Sequence, residues 1–264
     1  VQILQLIANE RDIAEKLLNG NNCGLTQGKQ LYILSKYYYN TLPEKYHDEK
    51  GKETSLKNRV KENLHSYLRE KSINNYIWEM KEPFLRKVVK DTEGSELIEV
   101  ESVPIYSEEI ELIRNIGNID KEKFLFTMLS ESKLKAKIRN KGEYWSNLDS
   151  NEICKLANIK KSKPIREKYI NEFVNNELIK IVNRVDKIDR QLIFVGGNEL
   201  LFEVNSFKDF GLQYEKFVLG NEKIKECEEC GDLIYRKASA DKYCMKCKQE
   251  KYLNRHIKYN KTRK

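Results

Sequence analysis

Proline and glycine are scarce, with four and twelve in 264 residues. Few positions therefore force the backbone out of a helix, and helices are expected to dominate. Long apolar runs are missing too. No segment approaches the ~20 consecutive apolar residues needed to cross a bilayer, so no membrane partner is expected. The opening VQILQLIANERDIAEKLL has neither a basic leader nor a small-residue cleavage site, so an intracellular location is expected. There is no glycine-rich phosphate loop, no clustered acid and no HNH constellation. RHIKY near the end has the letters of a recombinase site, but in a tail too short to hold that fold. Neither an enzyme nor a small-molecule substrate is expected. The three histidines, His47, His65 and His256, have no ligand spacing and read as surface residues.

Charge is present but unevenly placed. The chain carries +8, and residues 248–264 alone carry seven Lys or Arg against one Glu, or +6. A basic tail interleaved with Tyr252, His256 and Tyr259 is a usual form of polyanion contact. Its phosphate-contact candidates are Lys251, Arg255, Lys258, Lys261, Arg263 and Lys264.

Four of the six cysteines lie in CEECGDLIYRKASADKYCMKC, as two C-x-x-C pairs with thirteen residues between. Two such pairs can surround one metal ion tetrahedrally, with thiolate–zinc bonds of about 2.3 Å. Gly231 suits the positive φ that follows such a knuckle. Leu233–Tyr235 and Lys242–Cys244 are β-prone, so a small hairpin between the knuckles is expected. The reading is a zinc ribbon over residues 224–247, with one structural Zn2+ on Cys227, Cys230, Cys244 and Cys247. A disulfide set does not suit an intracellular chain. A redox C-x-x-C wants a βαβ setting that is absent. Cys23 and Cys154 read as small buried hydrophobes.

Residues 1–119 read as a helical N-terminal domain. Ile3, Leu6, Ile13, Leu17 and Leu18 share one face, Leu31, Leu34 and Tyr38 another, and Leu56, Val60, Leu64, Tyr67 and Leu68 a third. Two of the three tyrosines Tyr37, Tyr38 and Tyr39 are expected to pack internally rather than stack on bases. A helix is expected to break or restart at Pro83, and LIEVESVPI to form one strand. No internal repeat is visible.

Residues 120–196 carry a stronger pattern: a long helix, a short extended piece, a short helix, a basic turn, a second helix and two β-prone runs. That is the order of a winged helix-turn-helix, whose second paired helix enters the major groove. Lys155 to Lys168 hold six Lys or Arg against one Glu. Candidate DNA contacts are Lys160, Lys161, Lys163, Arg166, Lys168 and Asn171 on the second helix and its turn. Arg166 and Asn171 are of the types that pair with guanine and adenine edges. Arg184, Lys187 and Arg190 in the hairpin are candidates for phosphates. Residues 197–223 read as an aromatic connector and 248–264 as the basic tail.

The segments LYILSKYYYN, KFLFTMLSESKLK, NEFVNNELIKI, SFKDFGLQYEKFV and the two cysteine pairs resemble a loosely defined set of phage and mobile-element proteins of low-GC Gram-positive bacteria. The resemblance covers roughly residues 26–247. It implies a phage-like origin, a small zinc module and the cytoplasm of a bacterial host. The expectation is therefore a mainly α protein that binds double-stranded DNA without catalysis. The alternative is an adaptor that docks through its N-terminal helices and ribbon on a host protein, such as the polymerase, the replisome or defence machinery that it would inhibit.

Overall fold

The computed structural model describes residues 8–21, 23–43, 55–70, 75–184, 187–236, 241–245, 247–249 and 251–252. For residues 75–81, 183–184 and 187–188 it describes the backbone alone. Contacts divide these residues into two units, one ending at Glu101 and the other beginning at Ser102.

The first unit contains four helices: α1 (Glu10–Leu18), α2 (Gln27–Thr41), α3 (Leu56–Glu70) and α4 (Asn75–Thr92). Apolar residues three and four apart form their inner faces. Ile13, Ala14 and Leu17 meet Leu31, Ile33 and Leu34, with Val60, Leu64, Tyr67 and Leu68, and with Leu85, Val88 and Val89. Leu18, expected on the inner face, is exposed, and Ile3 and Leu6 lie outside the described residues. Tyr37, Tyr38 and Tyr39 pack against this core. The Tyr39 hydroxyl donates to the Val89 carbonyl at 3.1 Å, and burial pushes the Tyr38 hydroxyl up to about 12. Pro83 does not break its helix. It sits inside an unbroken α4, where its missing N–H costs one hydrogen bond that the flanking turns outweigh.

The second unit is built on α6 (Ile119–Arg139), which follows β1 (Val103–Tyr106) and α5 (Ser107–Arg114). Asn118 caps α6 by accepting from the Lys121 N–H, and left-handed Asn140 closes it. Most of the helix is buried all round. Phe124, Leu125, Phe126, Met128 and Leu129 are fully enclosed, and so are Thr127, Ser130, Glu131 and Ser132. Next come β2 (Trp145–Ser146), α7 (Ser150–Leu156), α8 (Lys163–Asn175), β3 (Ile179–Arg184) and β4 (Lys187–Leu192). The order from α6 onward is the one expected. In the sheet the strands lie β2-β4-β3, all antiparallel. Asp149 starts α7 with a reciprocal cap: it accepts from the Asn151 and Glu152 N–H groups while Glu152 accepts from its own.

The expected strand over LIEVESVPI is divided. Glu99 makes only an isolated bridge to Asn9, and β1 begins at Val103. β1 pairs with β5 (Leu200–Val204), so residues 102–119 pack with the second unit rather than with the N-terminal helices. Residues 197–223 likewise do more than connect. β5 is followed by α9 (Phe210–Gln213), which runs into a π-helical turn at Tyr214–Val218. Phe207, Phe210 and Tyr214 are buried, and the Tyr214 ring lies 5.3 Å from that of Phe126. Gly211 presses α9 onto the end of α7: a Cβ there would stand 1.8 Å from the Ala157 carbonyl oxygen, so no other residue fits. Two short strands, β6 (Ile224–Glu226) and β7 (Leu233–Tyr235), follow.

Charges buried on α6 each find a partner. Glu122 accepts from the Tyr214 hydroxyl at 2.8 Å, and Lys123 meets Glu215 at 2.6 Å. Glu131 lies against Lys135, and burial still holds its carboxyl above the ordinary range. Lys133 reaches Glu109 of α5 at 2.7 Å, with both side chains buried. Glu109 also accepts from the N–H groups of Tyr106 and Gly196. Removing one member of such a pair strands the other, at a cost of about 3–5 kcal/mol. Glu109→Ala should lower denaturant stability by that amount. Glu109→Leu combined with Lys133→Met should recover only the part due to the stranded ammonium, because the Tyr106 and Gly196 N–H groups still lose their acceptor.

Candidate metal centre and basic face

β6 and β7 pair antiparallel, Ile224 with Tyr235 and Glu226 with Leu233. The hairpin thus brackets the first cysteine pair. This differs from the expected hairpin between the two pairs, in which Lys242–Cys244 would have supplied a strand. Between β6 and β7 the chain turns tightly. The Gly231 N–H donates to the Cys227 carbonyl at 3.0 Å with Gly231 at φ +73°, and the Cys227 N–H donates to the Asp232 carbonyl at 2.8 Å. The second pair arrives on a helical turn starting at Met245. It is joined to the first by the Glu228 N–H, which donates to the Lys242 carbonyl at 3.0 Å.

The four sulfurs of Cys227, Cys230, Cys244 and Cys247 all lie within 4.8 Å of one another. Cys230 and Cys244 sulfurs are 3.7 Å apart. Tetrahedral bonds of ~2.3 Å place ligand sulfurs about 3.8 Å apart, so the set fits one metal ion. Backbone donors favour thiolate at the first ligand. Burial acts to raise Cys227, but N–H groups of Cys244, Cys230 and Glu229 outweigh it and hold the thiol down at about 6. Burial pushes Cys230 up to about 11 and raises Cys247 further. Of the two cysteines outside the set, Cys154 is buried as expected, with its thiol pushed up to about 11 by that burial, whereas Cys23 is only half-buried and packs on the core of the first unit.

The basic candidates fare unequally. Lys160, Lys163, Lys168 and Asn171 are exposed on α8 and its turn. Lys161 pairs with Asp120 at 2.6 Å. Arg166 is drawn inward, donating to the Lys161 carbonyl at 2.7 Å and to the Ser150 hydroxyl at 3.2 Å, where it braces the α7–α8 turn. Arg190 corrects the sequence reading: it is 6% exposed and donates to the Leu148 carbonyl at 2.8 Å, because its place on β4 turns it inward. The side chains of Arg184 and Lys187 lie outside the description, although their backbones pair at the end of the hairpin. Lys251 meets Glu229 at 2.7 Å and stands 3.6 Å from the Tyr243 ring centroid, folding the start of the tail onto the cysteine module. Arg255, Lys258, Lys261, Arg263 and Lys264 lie outside the described residues, as do His47 and His256. His65 sits 3.0 Å from Glu82.

The sequence reading passed over Lys137 and Lys141, which share a cleft with Lys133 beside Tyr106 and Tyr144. Their spacing of four residues was the available signal. Among the described residues no helix is long and apolar enough to cross a membrane. No protein-family model, curated protein or solved structure matches the chain.

Metal and protons would compete for the same sulfurs, so a metal held there should be released on acidification and retained at neutral pH. Cys230→Ser should abolish tight uptake of one metal ion per chain, read by metal analysis and by loss of the visible bands of tetrahedral thiolate-bound Co2+. The helical units should keep their far-ultraviolet dichroism.

Proposed function

We propose that the protein binds double-stranded DNA without catalysis, through a winged helix-turn-helix over residues 120–196. It would serve a phage or mobile element as a transcriptional regulator, or recognise a site in replication or recombination. The observation that carries this reading is the strand order β2-β4-β3 around α6, α7 and α8. A short strand between the first two helices pairs with the returning strand of the hairpin, which leaves one face of α8 to solvent. On that face Lys163, Lys168 and Asn171 are exposed, and neither lysine has a carboxylate partner among the described residues. α8 also has no acidic residue in its first turn. Cations at the positive end of a helix are unfavourable in isolation and are relieved by phosphate. Arg166 supports the turn, so base contact falls to Asn171 and the lysines beside it.

The four-cysteine module is proposed to hold one structural Zn2+. Thiolate donors in a closed tetrahedral set suit zinc and leave no position for water or substrate. The metal would order residues 224–247 and set where the basic tail begins.

A second reading has its own support. Ile193, Leu200, Leu201 and Phe217 are apolar and exposed in the second unit. Such residues suit an adaptor that docks on a host protein.

Mobility shift across a salt series separates the two. Duplex binding should weaken with salt. Lys163→Glu with Lys168→Glu should reduce affinity at least tenfold, and Asn171→Ala should cost roughly 1–3 kcal/mol at one base position. Truncation after Tyr252 removes five basic residues, and the log–log slope should flatten by ~0.9 for every phosphate those residues neutralise. Duplex affinity untouched by the α8 changes would remove this helix from DNA recognition.

A further inference from the structure

The cleft at the C-terminal end of α6 has no part in the DNA reading. It encloses about 370 Å3, near the lower end of the range for small-ligand sites (~300–1,000 Å3). Tyr106 of β1 and Tyr144 before β2 contribute aromatic walls, with apolar surface from Val103 and Ala136. Lys133, Lys137 and Lys141 line it, and among the described residues no carboxylate does.

These lysines differ in what they have left to give. Lys133 is buried and spent: it bonds the Pro104 carbonyl at 2.6 Å and Glu109 at 2.7 Å, and stands 4.5 Å from the Tyr106 ring centroid. Its charge is matched by Glu109. Lys137 is exposed, and among the described residues it has only an uncharged partner, the Ser102 carbonyl at 3.0 Å, leaving two of its three donors. Lys141 is exposed, and its ammonium has no partner among the described residues. Nor are these ammonium groups needed to close the helix. The carbonyls of Ala136 and Lys137 already accept from the backbone N–H groups of Lys141 and Asn140. Two unmatched positive charges therefore stand at the mouth of a partly aromatic cleft.

We propose that this cleft binds a nucleoside phosphate. Lys137 and Lys141 hold the phosphate, and the planar base lies against the tyrosine-lined wall. A bare inorganic anion would use the lysines and leave the aromatic surface wet. An uncharged aromatic would leave both ammonium groups unmatched. A phosphate monoester gains most as a dianion, so affinity should rise with pH through about 6, where its second proton leaves. The same chemistry is offered by a free mononucleotide and by the 5′-phosphorylated end of a nucleic-acid strand.

Calorimetric titration of the full chain distinguishes these sources. The probes are adenosine 5′-monophosphate, adenosine, inorganic phosphate, and one single-stranded oligonucleotide with and without a 5′-phosphate. Saturable binding of the monophosphate is expected, at least tenfold tighter than adenosine or phosphate alone. If the oligonucleotide binds tighter still, and only when phosphorylated, the source is a strand end. Lys137→Ala with Lys141→Ala should weaken binding tenfold or more. Both side chains face solvent, so an unchanged melting temperature should accompany the loss. Tyr144→Leu should weaken the monophosphate but not inorganic phosphate. The double lysine variant should keep wild-type duplex affinity in mobility shift, which separates this site from α8. The proposal is overturned if neither the monophosphate nor the phosphorylated oligonucleotide saturates at millimolar concentration. It is also overturned if the double variant binds both as wild type does, or loses duplex binding in parallel.

Discussion

The second unit depends on a helix that carries charge into the interior. Along α6, Glu122, Lys123, Glu131 and Lys133 are buried beside Phe124, Leu125, Phe126, Met128 and Leu129. A buried charge without a partner costs several kcal/mol, so each must be met from elsewhere in the chain. Glu109 answers from α5, Tyr214 and Glu215 answer from the turn after α9, and Lys135 answers from α6 itself. Apolar packing alone would allow the surrounding segments to slide. The paired charges fix which residue faces which, and so place α5 and the aromatic segment on the central helix.

Helical periodicity was the most legible signal in the sequence. The faces built from Ile13 and Leu17, from Leu31 and Leu34, and from Val60 to Leu68 are the observed core of the first unit. The order of elements from α6 to β4 was also readable, from the alternation of helical and β-prone runs across residues 120–196. Less legible were contacts between residues far apart in the chain. Nothing local marks β5 as the partner of β1, so residues 102–119 read as part of the N-terminal domain and 197–223 as a connector. Arg190 looked like its neighbours in a charged turn, and only the register of β4 against β2 turns it inward. Pro83 carried the standard signal of a helix start, which the packing of α4 overrode.

For the cysteine cluster, spacing gave the ligand set but not the scaffold. A C-x-x-C pair dictates a tight knuckle through its own geometry, so the four sulfurs could be named from the letters alone. The strand that flanks the first knuckle is Ile224–Glu226, too short and too charged to stand out. The same limit applies to the cleft beside α6. Lys137 and Lys141 are ordinary lysines by sequence, and they become distinctive only once the fold shows that no acid among the described residues reaches them.

Gly211 joins the aromatic segment to α7. Its α-carbon lies so close to the Ala157 carbonyl that backbone meets backbone, with no side chain between to flex or change rotamer. A joint of that kind behaves as a rigid weld rather than a cushion. Displacing α9 would push directly on the end of α7, and through the short Asn158–Ser162 turn on the start of α8. The aromatic segment is thus mechanically in series with the helix that presents Lys163, Lys168 and Asn171.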